Sequence, residues 1–157
     1  MLRRLCLKTS IFAGLSISTF AFAHNFNSAD DMFARRGEGY ERSTQARKMY
    51  ESALQSNLTE DEKVYAVTQM VRLDLYRGGM LKKVSNSKRK DALENCIETA
   101  QEIRSTNRQE YHYATIACIG FRGKLSSTVG RVKWALKLRS AERDALESTK
   151  VDGQYVG

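Results

Sequence analysis

YHYATIACIGF (residues 111–121) is the longest stretch of the chain without a formal charge once the N-terminus is set aside. At about 100° per residue its apolar and small side chains point in every direction around a helix, which is typical of a helix that other elements enclose. The stretch is well short of the roughly 20 residues that an apolar helix needs to cross a bilayer. We therefore predict a buried helix here, with the rest of the chain packed around it.

The N-terminus has the three parts of a secretory signal peptide. A basic leader at 1–8 precedes an apolar stretch at 11–22, and the sequence Ala-Phe-Ala at 21–23 supplies small residues for cleavage. We expect residues 1–23 to be removed and residues 24–157 to form a single exported domain without a transmembrane anchor. The expected location is the bacterial periplasm.

Composition and charge limit the classes of protein that fit this chain. It has 26 basic and 18 acidic residues, and removing the leader, which contains three of the basic ones, lowers the net charge from +8 to +5. This mild surplus disfavours a dedicated nucleic-acid-binding protein, in which Lys and Arg usually crowd one face. Proline is absent and alternating β-branched runs are few, so the composition favours helices joined to helices.

Periodicity and end signals predict about six helices, at 30–38, 43–55, 59–77, 91–104, 109–119 and 129–148. Thr59 and Glu62 have the spacing of a capping box, and Gly78-Gly79 is expected to close the third helix in the left-handed conformation. The last helix has two apolar stripes on nearly opposite sides, so we expect neighbours to pack on both. One stripe contains Val129, Val132, Leu136 and Leu146, and the other contains Trp134, Leu138, Ala141 and Ala145.

The pattern Ala46…Tyr50…Ala53 resembles the second-helix signature of a tetratricopeptide repeat, and Ala92…Cys96 repeats part of it. The two alanines that open these patterns are 46 residues apart, whereas the repeat length is about 34, so the basic loop between them would be an insertion. The resemblance implies an all-α fold in which antiparallel helical hairpins stack as a short tetratricopeptide-like α-solenoid.

A second resemblance covers residues 91–157. The sequence Ala92-Leu93-Glu94-x-Cys96, the Tyr-rich central helix and the closing DGQYVG at 152–157 are similar to the periplasmic tetratricopeptide-fold component found beside some TRAP solute transporters. This resemblance implies an exported α-solenoid that binds a partner protein or a small ligand and performs no chemistry.

Cys96 and Cys118 are the only cysteines that follow the leader, and each lies eleven residues from Asn107 in the turn between two predicted helices. In an antiparallel hairpin the two side chains therefore stand at the same height, and an exported protein meets oxidising conditions. We predict a disulfide, with two buried thiols as the alternative.

Asp74 is the most informative acid of the sequence. It lies in the apolar arc of its helix and close to the C-terminal end, where the helix dipole disfavours a negative charge. We expect an arginine such as Arg77, Arg104 or Arg122 to pair with it, and a ligand contact is the alternative.

Further contact candidates are His112, Arg139 and Arg143. His112 lies on the predicted buried helix. Arg139 and Arg143 are one helical turn apart beside an apolar stripe, so they could grip a carboxylate or phosphate, or extend their charged ends from the edge of a core. The candidate partner contacts of the chain are therefore Asp74, Arg77, His112, Arg139 and Arg143.

Catalytic and metal-binding patterns are weak. His24, His112, Tyr111 and Tyr113 are donors that suit copper, but no carboxylate or third imidazole supports such a site, and we predict no metal and no cofactor. The sequence shows no Ser-His-Asp order, no paired carboxylates with a supporting His and no closed zinc set. We expect a non-enzymatic scaffold for a protein partner. A small-ligand component serving a solute transporter is the alternative, and an enzyme comes third.

Overall fold

The structure is a computed structural model that describes residues 25–151 and 154–155, so the expected signal peptide and His24 lie outside it. The described chain is all-α, as predicted, with six α-helices that each pack against the next along the chain. They are α1 (Asn27–Ala34), α2 (Tyr40–Ala53), α3 (Glu60–Leu75), α4 (Asn86–Ala100), α5 (Arg108–Lys124) and α6 (Thr128–Ser148). Shorter elements are the 3-10 turns Arg35–Glu38 and Gln101–Ile103, the π turn Tyr76–Met80, and the antiparallel strands β1 (Lys150–Val151) and β2 (Gln154–Tyr155).

Side-chain caps set the starting points of four helices. The capping box predicted at Thr59 is confirmed, because its hydroxyl accepts from the Glu62 N–H at 3.3 Å and the Glu62 carboxylate accepts from the Thr59 N–H at 2.8 Å. Ser85, Asn107 and Ser127 accept from the backbone N–H three residues further on and begin α4, α5 and α6. Ser85 starts α4 at Asn86, five residues earlier than the predicted start at residue 91.

α3 is a deeply buried helix that packs on both sides. Eight of its 16 residues are buried, and it supplies side chains to two separate apolar clusters. The first cluster joins α1, α2 and α3 and contains Phe26, Ala29, Ala46, Tyr50, Ala53, Ala66, Met70 and Leu73. The second joins α3, α4 and α5 and contains Val71, Cys96, Ala100, Ala114 and Cys118.

The expectation that the uncharged stretch at 111–121 is enclosed on all sides is wrong. Tyr113, in the middle of α5, is 66% exposed. Gly120 does not break the helix, which continues to Lys124. α3 can be more deeply buried despite its acids because Glu62 caps its own helix and Asp74 pairs with arginines. Freedom from charge therefore did not identify the most buried helix.

The expectation that α6 is packed on both sides is also wrong. Trp134 and Leu138 are half-buried on the side that contacts α5, and the Arg122 guanidinium lies 5.0 Å from the centre of the Trp134 ring. Val129 is 83% exposed, and Val132 and Leu136 are both 62% exposed. No described element packs on this second stripe, which makes α6 the open end of the helical series.

Gly78 has a different role from the one the sequence indicates. Within residues 25–151, the only glycine with a positive φ is Gly39, at 142°, so Gly78 does not end a helix in the left-handed conformation. Instead it lies in the π turn where α4 comes close, and a Cβ placed on Gly78 would lie 2.3 Å from Leu93 Cγ and 2.8 Å from the carbonyl oxygen of Arg89. Glycine is needed at this position because a side chain would collide with α4.

Candidate functional site

Asp74 is fully buried and accepts hydrogen bonds from two arginines. Arg77 Nη1 lies 2.8 Å from Oδ1, and Arg47 Nε lies 2.9 Å from Oδ2. Of the three arginines predicted as partners, the structure selects Arg77. The guanidinium of Arg77 also donates to the Tyr40 hydroxyl at 2.8 Å, and that of Arg47 donates to the Thr99 hydroxyl at 3.2 Å. The carboxylate therefore ties together α2, α3, the π turn and α4.

Arg47 is the member of this cluster that sequence reasoning missed. It comes from α2, 27 residues before Asp74, and it also forms an ion pair of 3.1 Å with Glu51 on the same helix. In the structure Arg47 lies on the buried side of α2, four residues after Ser43 and three before Tyr50, both of which are buried. An arginine in the buried arc of a helix needs an acid across the interface.

The negative charge of Asp74 lies between the positive charges of Arg47 and Arg77 inside the fold. Burial raises the pKa of Asp74 above its ordinary value, while the charges and hydrogen bonds of Arg47 and Arg77 act in the opposite direction. Partial burial lowers the pKa of Arg47, but the charges and hydrogen bonds of Asp74 and Glu51 together raise it above its ordinary value. Each charge has its partner inside the fold, so Asp74 and Arg77 are engaged in packing four elements together.

Cys96 and Cys118 form the pair predicted from their spacing. Both side chains are fully buried, and their sulfur atoms lie 1.97 Å apart, at the distance of a disulfide bond. The bond joins α4 to α5 inside the second apolar cluster. It stabilises the packing of these two helices and presents no reactive group at the surface.

One side of α6, which we call the outer face of α6, exposes apolar side chains and two arginines to solvent. We use this name for Val129, Val132, Leu136, Arg139, Arg143 and Leu146. These residues recur at intervals of three and four and so follow one side of the helix. All six are exposed, and this face contains four of the six large apolar side chains that are exposed in the described residues. The two candidate arginines lie here, and neither makes an ion pair within the described part of the chain.

His112 lies elsewhere, in a cavity of about 330 Å³ where α5 begins and α6 ends. The cavity, which we call the His112 pocket, is lined by Arg104, Arg108, Tyr111, His112, Asp144 and Glu147. His112 is 8% exposed, and its Nε2 atom has no hydrogen-bond partner in the residues that the structure describes. The pKa of His112 is lowered, first by burial and then by the positive charge of Arg108, so its imidazole is neutral near pH 7. Arg139 and Arg143 do not line this pocket.

Two further grooves border α3. One, of about 490 Å³, is lined by polar side chains of α2, α3 and α4 that include Arg47 and Thr99. The other, of about 330 Å³, lies between α3 and α5 beneath the exposed Tyr113, and it includes Thr68, whose buried hydroxyl has no partner in the described structure.

Comparison of this chain with protein-family models, with curated proteins and with solved structures finds no match. The resemblances to the tetratricopeptide repeat and to the TRAP-associated component therefore stay predictions from sequence. In residues 25–151 and 154–155, no helix combines the length and apolar character of a membrane span. The same residues contain no group of three or more His, Cys, Asp or Glu side chains arranged to hold a metal ion.

Proposed function

We propose that this chain is an exported, non-enzymatic helical scaffold whose partner is another protein, and that the partner docks on the outer face of α6. The observation that carries the proposal is the exposure of Val129, Val132 and Leu136 at helical spacing. Single exposed apolar residues are ordinary on protein surfaces, but a continuous stripe is typical of a surface that another protein covers. The spacing of i, i+3 and i+7 is that of a ridge that packs into a groove of a second helix.

The order of packing within the chain supports the same proposal. Each helix from α1 to α5 is followed by one that packs against it, and no further helix follows α6 among the residues that the structure describes. A helix supplied by a partner would continue this series, in the way that helical hairpins add to one another in a short solenoid. We place the proposed function in the periplasm because of the leader at 1–23, and the disulfide suits an oxidising compartment.

Charge indicates the chemistry of the partner. Arg139 and Arg143 continue the apolar stripe toward the C-terminus, and Lys133 lies between Val129 and Leu136 on the same side of α6. None of these three cations has an ion-pair partner in the described chain. The best match is an amphipathic helix that places apolar residues against the stripe and acidic residues against the cations.

The proposal is tested by affinity capture from a periplasmic extract of the source cell. The bait proteins are the wild-type chain, the double variant Val132→Asp/Leu136→Asp, and the control Met80→Asp. Met80 is a suitable control because it is also a large apolar side chain, 61% exposed, but lies in the π turn outside α6. We expect the wild type and Met80→Asp to capture the same partner protein, and we expect the double variant not to capture it.

Quantitative mass spectrometry of the eluates measures the retained protein, and circular dichroism confirms that all three baits are helical. A retained protein that binds the double variant as well as the wild type would contradict docking on the outer face of α6. Charge reversal through Arg139→Glu/Arg143→Glu should weaken capture as well, and the loss should be smaller at high salt, where such attractions are screened.

A further inference from the structure

The His112 pocket brings together charges of both signs that do not pair with each other. Arg104, Arg108 and Asp144 make no ion pair within the described residues, and the one partner of Glu147 is Lys150, at 2.8 Å. The two guanidinium groups come from the start of α5 and the turn before it, whereas the two carboxylates come from the end of α6. Opposite charges therefore border one cavity and leave room between them.

We propose that the His112 pocket binds a small zwitterion of the α-amino acid class, with its carboxylate on Arg104 and Arg108 and its ammonium group on Asp144. A guanidinium group presents several N–H donors in a plane that matches a carboxylate. An ammonium group is a compact donor that a carboxylate accepts well. This site goes beyond the scaffold function, since it does not involve the apolar stripe of α6.

His112 is the observation that distinguishes this pocket from a chance meeting of surface charges. It is the one buried side chain that lines the cavity, and its Nε2 atom lacks a partner. A buried polar atom without a hydrogen bond is costly, and such atoms commonly mark a place where a ligand or water completes the set. A neutral imidazole can offer Nε2 as an acceptor to an ammonium group or as a donor to a carboxylate.

The size and walls of the pocket restrict the ligand further. A volume of about 330 Å³ lies at the lower end of the range for ligand pockets, so the bound molecule is of amino-acid size. Tyr111 forms a flat wall, and the Arg104 guanidinium stands 5.6 Å from the centre of its ring. At this distance the guanidinium group is attracted to the electron-rich face of the ring.

Titration by NMR tests the proposal on the ring signals of His112, which are assigned by their loss in His112→Gln. The probes are L-alanine, L-glutamine and L-phenylalanine, each compared with its N-acetyl derivative, which lacks the ammonium charge, and its amide, which lacks the carboxylate. We expect at least one amino acid to shift the signals with saturation, and both blocked forms to bind about tenfold more weakly or worse, since each loses a charge-assisted hydrogen bond.

Variants locate the two ends of the ligand. Arg104→Gln/Arg108→Gln should weaken binding of the amino acid about tenfold or more, but should leave the already weaker binding of its amide, which lacks the carboxylate, nearly unchanged. Asp144→Asn should weaken binding of the amino acid to a similar extent, but should leave the already weaker binding of the N-acetyl form, which lacks the ammonium charge, nearly unchanged. Arg139→Gln, on the outer face of α6, is the matched control and should bind like the wild type. The proposal fails if none of the three amino acids moves the His112 signals at millimolar concentration, or if blocked and unblocked forms bind equally. Failure here would leave capture through α6 unaffected.

Discussion

Asp74 and Arg77, three residues apart, are both buried and joined by a hydrogen bond of 2.8 Å between Oδ1 and Nη1. The pair spans the junction of two elements, because Asp74 belongs to the last turn of α3 and Arg77 lies inside the π turn Tyr76–Met80. π turns often occur where a helix departs from regular geometry to place one side chain. Here the result is a carboxylate held between guanidinium groups from two different elements.

We expect Asp74→Ala to lower the free energy of unfolding by on the order of 3 kcal/mol or more, because Arg47 and Arg77 would keep their charges without the acid that pairs with both. Urea denaturation measures the change. The control is Glu94→Ala, which removes a half-exposed partner of Arg122 and should cost about 1 kcal/mol or less. An unchanged midpoint for Asp74→Ala, together with a loss of partner capture, would instead make Asp74 a binding residue.

Removing the disulfide through Cys96→Ser/Cys118→Ser should lower the free energy of unfolding by about 3 kcal/mol, because the bond closes a loop between residues 22 apart in sequence. Urea denaturation of the variant beside the oxidised wild type gives the difference. Alkylation followed by intact-mass measurement provides the control on the bond itself. Two alkylated thiols in the unreduced protein would refute the pairing.

The outer face of α6 should respond much less to substitution than a buried position does. Val132→Ser and Leu136→Ser should each change the free energy of unfolding by only about 0.5 kcal/mol, since both side chains are already in contact with solvent. Leu93→Ala, in α4, should cost about 2 to 5 kcal/mol because Leu93 is fully buried. Thermal unfolding of the three variants checks this. A large loss for Leu136→Ser would mean that the stripe is covered in the isolated chain.

Two glycines offer a matched pair for the same substitution. Gly78→Ala should destabilise the chain by about 1 to 3 kcal/mol, because the new methyl group would meet Leu93 and the backbone of Arg89. Gly120→Ala, within α5, has open space around its Cβ position and should stabilise the helix by about 0.5 to 1 kcal/mol. Chemical denaturation of both variants would show opposite signs. Equal signs would contradict the close approach of α4 to the π turn.

The lowered pKa of His112 predicts a loss of stability in acid. As the pH falls through the ordinary value of 6.5, the unfolded chain takes up a proton that the folded chain binds less readily, so the folded state loses free energy until the pH passes below its own lower pKa. Arg104, Arg108, Asp144 and Glu147 face the same pocket. Their charges are retained in His112→Gln, which therefore serves as the control.

Denaturation midpoints at pH 8 and pH 5 measure this effect. We expect the wild type to lose more stability than His112→Gln over that interval. Parallel profiles for the two proteins would show that His112 keeps its ordinary pKa in the folded state.

Local signals in the sequence were sufficient for the class of fold and for several contacts. The start of α3 was predicted from Thr59 and Glu62, because a capping box depends only on two residues that are three apart. Cys96 and Cys118 were paired from their equal distance to a turn, and Arg77 was among the arginines expected near Asp74. In each case the relevant distance is fixed by one helix or by one hairpin.

Features that depend on the packing of distant elements were not predicted. Arg47 reaches Asp74 only because α2 lies against α3, and the His112 pocket exists only because the end of α6 returns to the start of α5. The two stripes of α6 look alike in sequence, since hydrophobic periodicity shows which sides can be covered but not whether a neighbour is present. For the same reason, the uncharged α5 was expected to be the enclosed helix in place of α3, whose buried Asp74 pairs with Arg47 from α2 as well as with Arg77.

The sharing of α3 between the two apolar clusters has a consequence for how this molecule melts. Met70 faces one cluster and Val71, the next residue, belongs to the other. Loss of structure around one cluster would therefore also remove contacts that hold α3 in position for the other cluster. Helices α1 to α5 therefore have no seam along which one portion could come apart while the remainder persists, and calorimetry should record one cooperative transition for these five helices.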